Sequence, residues 1–303
     1  MLDRQSWGVI FVLISAFSFS TKAIFVKYAY EVSDQVTAMD LLALRLLSAL
    51  PFYILILFVF KKNTIPLYKK DYLWLLAAGF MGFYASSLLD FMGLLYISAS
   101  LERIIFFLYP TITVIVSAML YKQGISLKVG LAIALSYLGT ILVMLYEPVK
   151  HSQHLWLGVG LVFASAMTYA SYMLMSQKVL PKFGAMRFTA LATLVATAGF
   201  ITHYSLVVPT GLHHLFNLPH TVYYYGFALG LFATLLPTVL MMIGIERLGA
   251  AKTAMISSGG PIFTIILAVL FLGEQLNMIQ WLGCILNIIG VLMVSLNKNP
   301  PKP

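Results

Sequence analysis

Five charged side chains stand inside the apolar stretches of this chain: Lys22, Arg45, Asp90, Glu102 and Arg103. An ion held in hydrocarbon costs at least a few kcal/mol, so residues of this kind pair with one another or face water, and they mark solute or proton pathways. Three are positive and two negative. They can neutralise largely among themselves, for instance Arg45 with Asp90 or Glu102, leaving about one net positive charge. Two kinds of chemistry fit. One is a static salt-bridge network that closes one end of the molecule. The other is a gate, or an anchor for a carboxylate-bearing solute, with a proton relay through Asp90 or Glu102 as a lesser variant.

The elements that must position these charges are membrane-length. Of 303 residues, 61% are hydrophobic and 10% charged, and the mean hydropathy is +0.93, more apolar surface than a soluble core of this size needs. Apolar runs of about 20 residues read as spanning helices. The first half holds five, at 7–28, 38–60, 72–96, 98–121 and 127–146; the second holds five more, at 155–178, 187–208, 222–247, 249–272 and 278–296. The expected fold is an all-α polytopic membrane protein with connections too short for a soluble domain.

The second half repeats the first. A shift of 150 or 151 residues lays Gly8 and Ser15-Ala16 over Gly158 and Ser165-Ala166, Gly79 and Gly93 over Gly230 and Gly244, Pro110 over Pro261, and Gly139 over Gly290. An odd number of spans separates equivalent points, so the copies, 1–150 and 151–303, are expected to cross the bilayer in opposite senses. Inverted repeats of this kind characterise secondary transporters, with the site where the halves meet.

Basic residues set the expected orientation. With the N-terminus inside, the cytoplasmic segments collect Arg4, Lys61, Lys62, Lys69, Lys70, Lys122, Lys128, Lys178, Lys182, Arg187, Arg247, Lys252, Lys298 and Lys302, against Lys150 and Arg103 outside. Both termini are therefore placed in the cytoplasm of a cell or inner membrane. This topology accounts for the net charge of +9, and no loop interleaves basic and aromatic residues as a nucleic-acid surface does. The first span carries Lys22 and matches an internal span, so it is read as retained rather than as a signal peptide. The single cysteine, Cys284, excludes an intramolecular disulfide and is read as a packing residue.

Sequence position converts to depth at about 1.5 Å per residue. On that scale all five charges fall in one layer, roughly 6–11 Å inside the outer boundary. Their approximate repeat equivalents are Tyr172, Ala192, Met241, Thr253 and Ala254, none charged. The two ends of the molecule are thus expected to differ chemically.

The stretch from Gly93 through Tyr109-Pro110, and its counterpart from Gly244 through Gly259-Gly260-Pro261 to Gly273-Glu274, resembles the drug/metabolite transporter superfamily, EamA type, over nearly the whole chain. The resemblance implies an inner-membrane carrier of small metabolites, often an exporter of amino acids or related solutes. The copy departs from symmetry at Gly273-Glu274, which reads Lys122-Gln123 in the first half.

Pro110 and Pro261 sit near mid-span, where each removes a helical hydrogen bond. They read either as hinges in broken helices lining the cavity or as packing kinks, and Ser257-Ser258-Gly259-Gly260 beside Pro261 permits close approach. Phe83, Tyr84, Phe107, Tyr109, Tyr137 and Tyr169 could wall a cavity with hydroxyl handles, or simply pack. His213, His214 and His220 lack a carboxylate or cysteine companion for a metal. No phosphate loop or catalytic triad appears.

The expectation is a carrier working by alternating access, with a small-molecule solute and the bilayer as partners, no cofactor, and proton or counter-solute coupling open. The site candidates are Lys22, Arg45, Asp90, Glu102, Arg103, Tyr84, Tyr109, Pro110, Tyr169, Gly260 and Pro261. An intramembrane enzyme using Asp90 and Glu102, a non-transporting membrane subunit and a lipid scramblase are the alternatives.

Overall fold

The structure, a computed structural model, describes residues 4–60, 66, 68–120, 122, 124–146, 154–208, 211–248, 253, 256–257 and 259–295. Lys61, Lys62, Lys150, Lys252, Ala254, Ser258, Lys298 and Lys302 lie outside them. The described residues form helices and short connections, with no strand among them. In chain order these are α1 (Arg4–Val32), α2 (Ala38–Val59), α3 (Lys69–Gly79), α4 (Ser86–Gly93), α5 (Ala99–Phe106), α6 (Tyr109–Leu120) and α7 (Leu127–Leu145). They continue as α8 (Leu155–Phe183), α9 (Ala185–Val207), α10 (His220–Gly230), α11 (Leu236–Leu248), α12 (Gly260–Leu272) and α13 (Met278–Ser295).

Eight helical stretches are long and apolar enough to cross a membrane, and α12 and α13 are shorter apolar helices. The chain is a multi-pass membrane protein. Its outer surface agrees: Phe58, Leu206 and Met278 are 82%, 81% and 86% exposed, which water would penalise and lipid does not.

Two spans are not simple α-helices. A π-helical segment, Phe80–Ala85, joins α3 to α4, and another, Leu231–Leu235, joins α10 to α11, 151 residues later. Each follows a glycine, Gly79 or Gly230, pressed against a neighbouring helix. A third span is broken: α5 ends at Phe106, and α6 restarts at Tyr109 with Pro110 in its first turn, where a missing N–H costs nothing. Pro261 likewise occupies the first turn of α12, after a turn at Gly259. The prolines therefore restart helices rather than kink continuous ones.

Local sequence sets the ends. Thr37 and Asp40 form a reciprocal capping box at the start of α2, and Ser98 and Ser126 cap α5 and α7. Gly273 closes α12 in the left-handed region at φ 64°. At the equivalent place in the first half stands Lys122, at φ 51° the one non-glycine residue with positive φ among those described.

Helix packing repeats at the level of individual contacts. Ser165 Oγ donates to the carbonyl of Ser86 at 2.7 Å, and Ser15 Oγ to that of Pro237 at 2.6 Å. Gly93 lies against Val162, and Gly244 against Val12; Gly158 lies against Tyr96 and Ile97, and Gly8 against Arg247 and Leu248. In each pair the second contact is the first with one partner moved on, and the other moved back, by 150 or 151 residues. The α7–α13 seam is its own counterpart: Gly139 meets Gly283 and Asn287, while Gly290 meets Ala132 and Ser136. A Cβ on Gly290 would come within 2.6 Å of a backbone oxygen, so the seam depends on glycine. Asn287 Nδ2 clasps it by donating to Ser136 O at 3.1 Å and Thr140 Oγ1 at 3.0 Å.

Candidate functional site

Helices α1, α4 and α5 bring three of the five intramembrane charges into contact. Lys22 Nζ on α1 donates to Asp90 Oδ2 on α4 at 2.6 Å and to Glu102 Oε1 on α5 at 3.1 Å. Asp90 and Glu102 are 2% and 0% exposed, and the Lys22 ammonium also stands 5.1 Å from the Phe106 ring centroid. One ammonium thus serves two carboxylates. Asp90 Oδ1 and Glu102 Oε2 remain without a hydrogen-bond partner.

Arg45 does not join this cluster, contrary to the pairing with Asp90 or Glu102 expected from shared depth. Its Nε donates to Thr234 Oγ1 at 2.8 Å and its Nη1 to Ser87 Oγ at 3.0 Å, with the guanidinium 5.5 Å from the Phe91 ring centroid. The physical reason is azimuth. Depth fixes the layer of a residue but not its face, and the π-segments insert extra residues that turn Ser87 and Thr234 towards α2. Thr234 lies within the second π-segment and itself donates to Leu229 O, five residues back, at 2.8 Å.

Arg103 follows Glu102 on α5 but takes its own direction. Its guanidinium is 6.0 Å from the Phe107 ring centroid, its Nε has no partner, and its Nη2 lies 2.9 Å from where a Cβ on Gly260 would stand. Gly260 therefore makes room for Arg103, a concrete use for the small residues beside Pro261.

Lys22, Arg45, Asp90 and Arg103 line one side of a cavity of about 170 Å³. A larger cavity of about 580 Å³ continues from it, and Phe19, Phe83, Phe107, Tyr109, Tyr169 and Met241 line both. The larger space reaches Thr189, four residues into α9, and Ile245, three residues from the end of α11. It therefore extends towards the end of the bundle that carries Lys178, Lys182 and Arg187. There Lys182 Nζ bridges to Asp71 at 2.9 Å, and Arg187 Nη1 donates to the carbonyls of Leu57 and Phe60 that end α2.

The opposite end is packed. Buried side chains including Ile24, Val36, Leu41, Phe200, Tyr204 and Leu218 belong to one apolar cluster. Over it Asp40 accepts a 2.5 Å bond from Tyr204 and lies 3.6 Å from His214. The carboxylate of Glu274, just beyond α12, accepts the N–H groups of Ala99 and Ser100 at 2.7 and 3.1 Å. It supplies negative charge where the first turn of α5 leaves donors unpaired.

The structure places the remaining candidates unevenly. Tyr109, Pro110 and Tyr169 line the larger cavity. Tyr84 lines neither: it donates to or accepts from His203 Nδ1 at 2.7 Å and packs on Phe80 and Phe200. Pro261 is buried outside the lining, as is Glu102, which accepts a bond from Lys22. Phe19 and Thr238 belong to the cavity without having been singled out in the sequence, and Ser257 joins them from the small-residue run before Pro261. No group of His, Cys, Asp or Glu among the described residues could hold a metal ion.

The EamA-like transporter family model matches the chain twice, over residues 6–145 and 156–296. An uncharacterized transporter of Bacillus subtilis, YcbK, is 32% identical over 283 residues, covering 91% of this chain and 89% of that protein. An uncharacterized inner membrane transporter of Salmonella typhimurium, YicL, is 27% identical over 96% of each chain. One solved crystal structure superposes with a TM-score of 0.63 over 96% of this chain and 97% of that one; at 16% identity it shows the shared fold alone. The chain belongs to the EamA-like transporter family, and family and relatives alike indicate a membrane transporter rather than an enzyme.

Proposed function

We propose that this member of the EamA-like transporter family is a secondary transporter that exports a small metabolite, an amino acid or a related solute, by alternating access. The observation that carries the reading is the cavity. It is walled by residues from both family-matched stretches, such as Phe19 and Phe83 from one and Tyr169 and Met241 from the other, and it stops at the ion cluster.

In this reading ten spans form two inverted halves, 1–150 and 151–303, and both termini are cytoplasmic. The recurrence of contacts such as Gly93 on Val162 and Gly244 on Val12 supports the pairing of halves. The bias of Lys and Arg towards the end reached by the larger cavity supports loading from the cytoplasm. Closure at that end, with opening past Glu274 at the other, would complete the cycle. The segments restarted at Pro110 and Pro261 are where bending needs the fewest broken hydrogen bonds. Proton or counter-solute coupling would supply the driving force.

The test is counterflow. Proteoliposomes preloaded with a panel of amino acids should accumulate labelled solute from outside, and Tyr169→Ala, which leaves the ion cluster untouched, should reduce uptake. Equal uptake into protein-free liposomes for every solute overturns the proposal.

A further inference from the structure

The Lys22 ammonium is shared by Asp90 and Glu102, while Arg45 and Arg103 bring two further positive charges to the same small cavity. Neither guanidinium has a carboxylate within ion-pair distance among the described residues, and both residues are more than nine-tenths buried. A guanidinium keeps its charge and offers five N–H donors in a planar fork suited to a carboxylate. Arg45 spends two atoms on neutral hydroxyls, and Arg103 Nε spends nothing. Burial without an anionic partner is unfavourable for either group.

We propose that the charged end of the cavity recognises the carboxylate group of its ligand through Arg45 and Arg103, which assigns the cargo's chemical class and rests on the transporter reading above. The sign of the charge decides against a cationic ligand. Asp90 Oδ1 and Glu102 Oε2 are also unpartnered, but the Lys22 ammonium already lies between these carboxyl groups, and a second cation would enter a site where Lys22, Arg45 and Arg103 already outnumber them. Behind the guanidinium groups, Phe106, Phe107, Tyr109, Tyr169 and Met241 offer aromatic and thioether surface, so the carboxylate should ride on an apolar or aromatic body.

The ligand would also be tied to moving parts. Arg45 bonds Thr234 inside one π-segment and Ser87 just beyond the other. An anion drawing on its guanidinium therefore pulls on both halves at once, and a neutral solute does not.

The test uses the full chain in lipid nanodiscs with four probes of similar size: 3-phenylpropanoate, phenylalanine, phenethylamine and phenyl phosphate. Titration calorimetry should give binding of 3-phenylpropanoate and of phenylalanine, with no measurable binding of phenethylamine. Arg45→Gln should weaken the carboxylate at least about tenfold, as loss of a charge-assisted hydrogen bond does, with Arg45→Lys intermediate. Gly260→Ala, which keeps Arg103 but crowds its Nη2, should weaken it severalfold at unchanged melting temperature. If Arg45→Gln does not purify as a single species, Arg103→Gln and Gly260→Ala carry the test. Phenethylamine binding as tightly as the carboxylate, phenylalanine binding where 3-phenylpropanoate does not, phenyl phosphate binding tighter than either, or unchanged affinity in the variants overturns the proposal. Counterflow separates it from the transporter reading. Exchange of amines or neutral solutes without carboxylate binding sinks the inference alone; carboxylate binding without exchange of any solute sinks the transporter reading alone.

Discussion

The ion cluster and its counterpart in the other half occupy equivalent places on nearly the same backbone, yet one is closed and the other is hollow. In the first half Lys22, Asp90 and Glu102 draw α1, α4 and α5 together through one ammonium. In the second, Tyr172, Met241 and Thr253 line the larger cavity. The backbone repeat fixes where helices cross, through contacts such as those of Gly93 and Gly244. Side-chain chemistry then decides which crossing seals. A charged triad contracts a site because each ion left alone in a dry interior is costly. Aromatic and thioether groups pack on one face, as Tyr172 does on Gly82, and leave space on the other.

That contrast can be broken most directly at Lys22. Lys22→Met strands two carboxylates and should lower stability by about 3–5 kcal/mol, read as thermal unfolding in detergent. Adding Asp90→Asn and Glu102→Gln should restore most of the loss. A single variant that melts with the wild type would show that the cluster does not hold the closed end.

A smaller effect is expected at the cap that spans the two halves. Glu274→Ala leaves the N–H groups of Ala99 and Ser100 without their acceptor and should cost about 1 kcal/mol. In the proposed cycle the cavity opens past Glu274, so the same change should raise labelling of a cysteine placed at Ser100 by an impermeant thiol reagent. Stability lost without any gain in labelling would make Glu274 a plain helix cap.

The smallest effect should appear at Lys122, which holds the left-handed conformation that Gly273 holds in the other copy. Lys122→Gly relieves a conformation that costs an L-residue roughly 1 kcal/mol, partly offset by glycine's greater freedom when unfolded. A slight rise in melting temperature is the expected outcome, and a fall would mean that the lysine side chain makes a compensating contact.

Much of this was written in the sequence because glycine and proline report backbone needs. Gly79 and Gly230, Gly93 and Gly244, and Gly139 and Gly290 recur at one spacing, and each meets its neighbour too closely for a Cβ. Regular helix rise put Lys22, Asp90 and Glu102 in one layer of the sequence reading, and the three side chains meet. Arg45 was misassigned because nothing in Phe80–Ala85 or Leu231–Leu235 spells a π-turn, so the faces that follow were turned away from their expected partners. Tyr84 misled for a related reason. It shares a stretch with the cavity-lining Phe83, but successive residues on a helix point in different directions. The role of Gly260 needed coordinates, since its partner Arg103 lies 157 residues away.

The α7–α13 seam has a consequence for ancestry. Residues 132, 136 and 139 on one side meet 283, 287 and 290 on the other, each set standing where its own copy stands across the contact. Such self-complementarity is the signature of an isologous interface, the kind two identical subunits make. The duplicated chain therefore carries, inside a single polypeptide, a joint that a half-length forebear would have formed with a second molecule of itself.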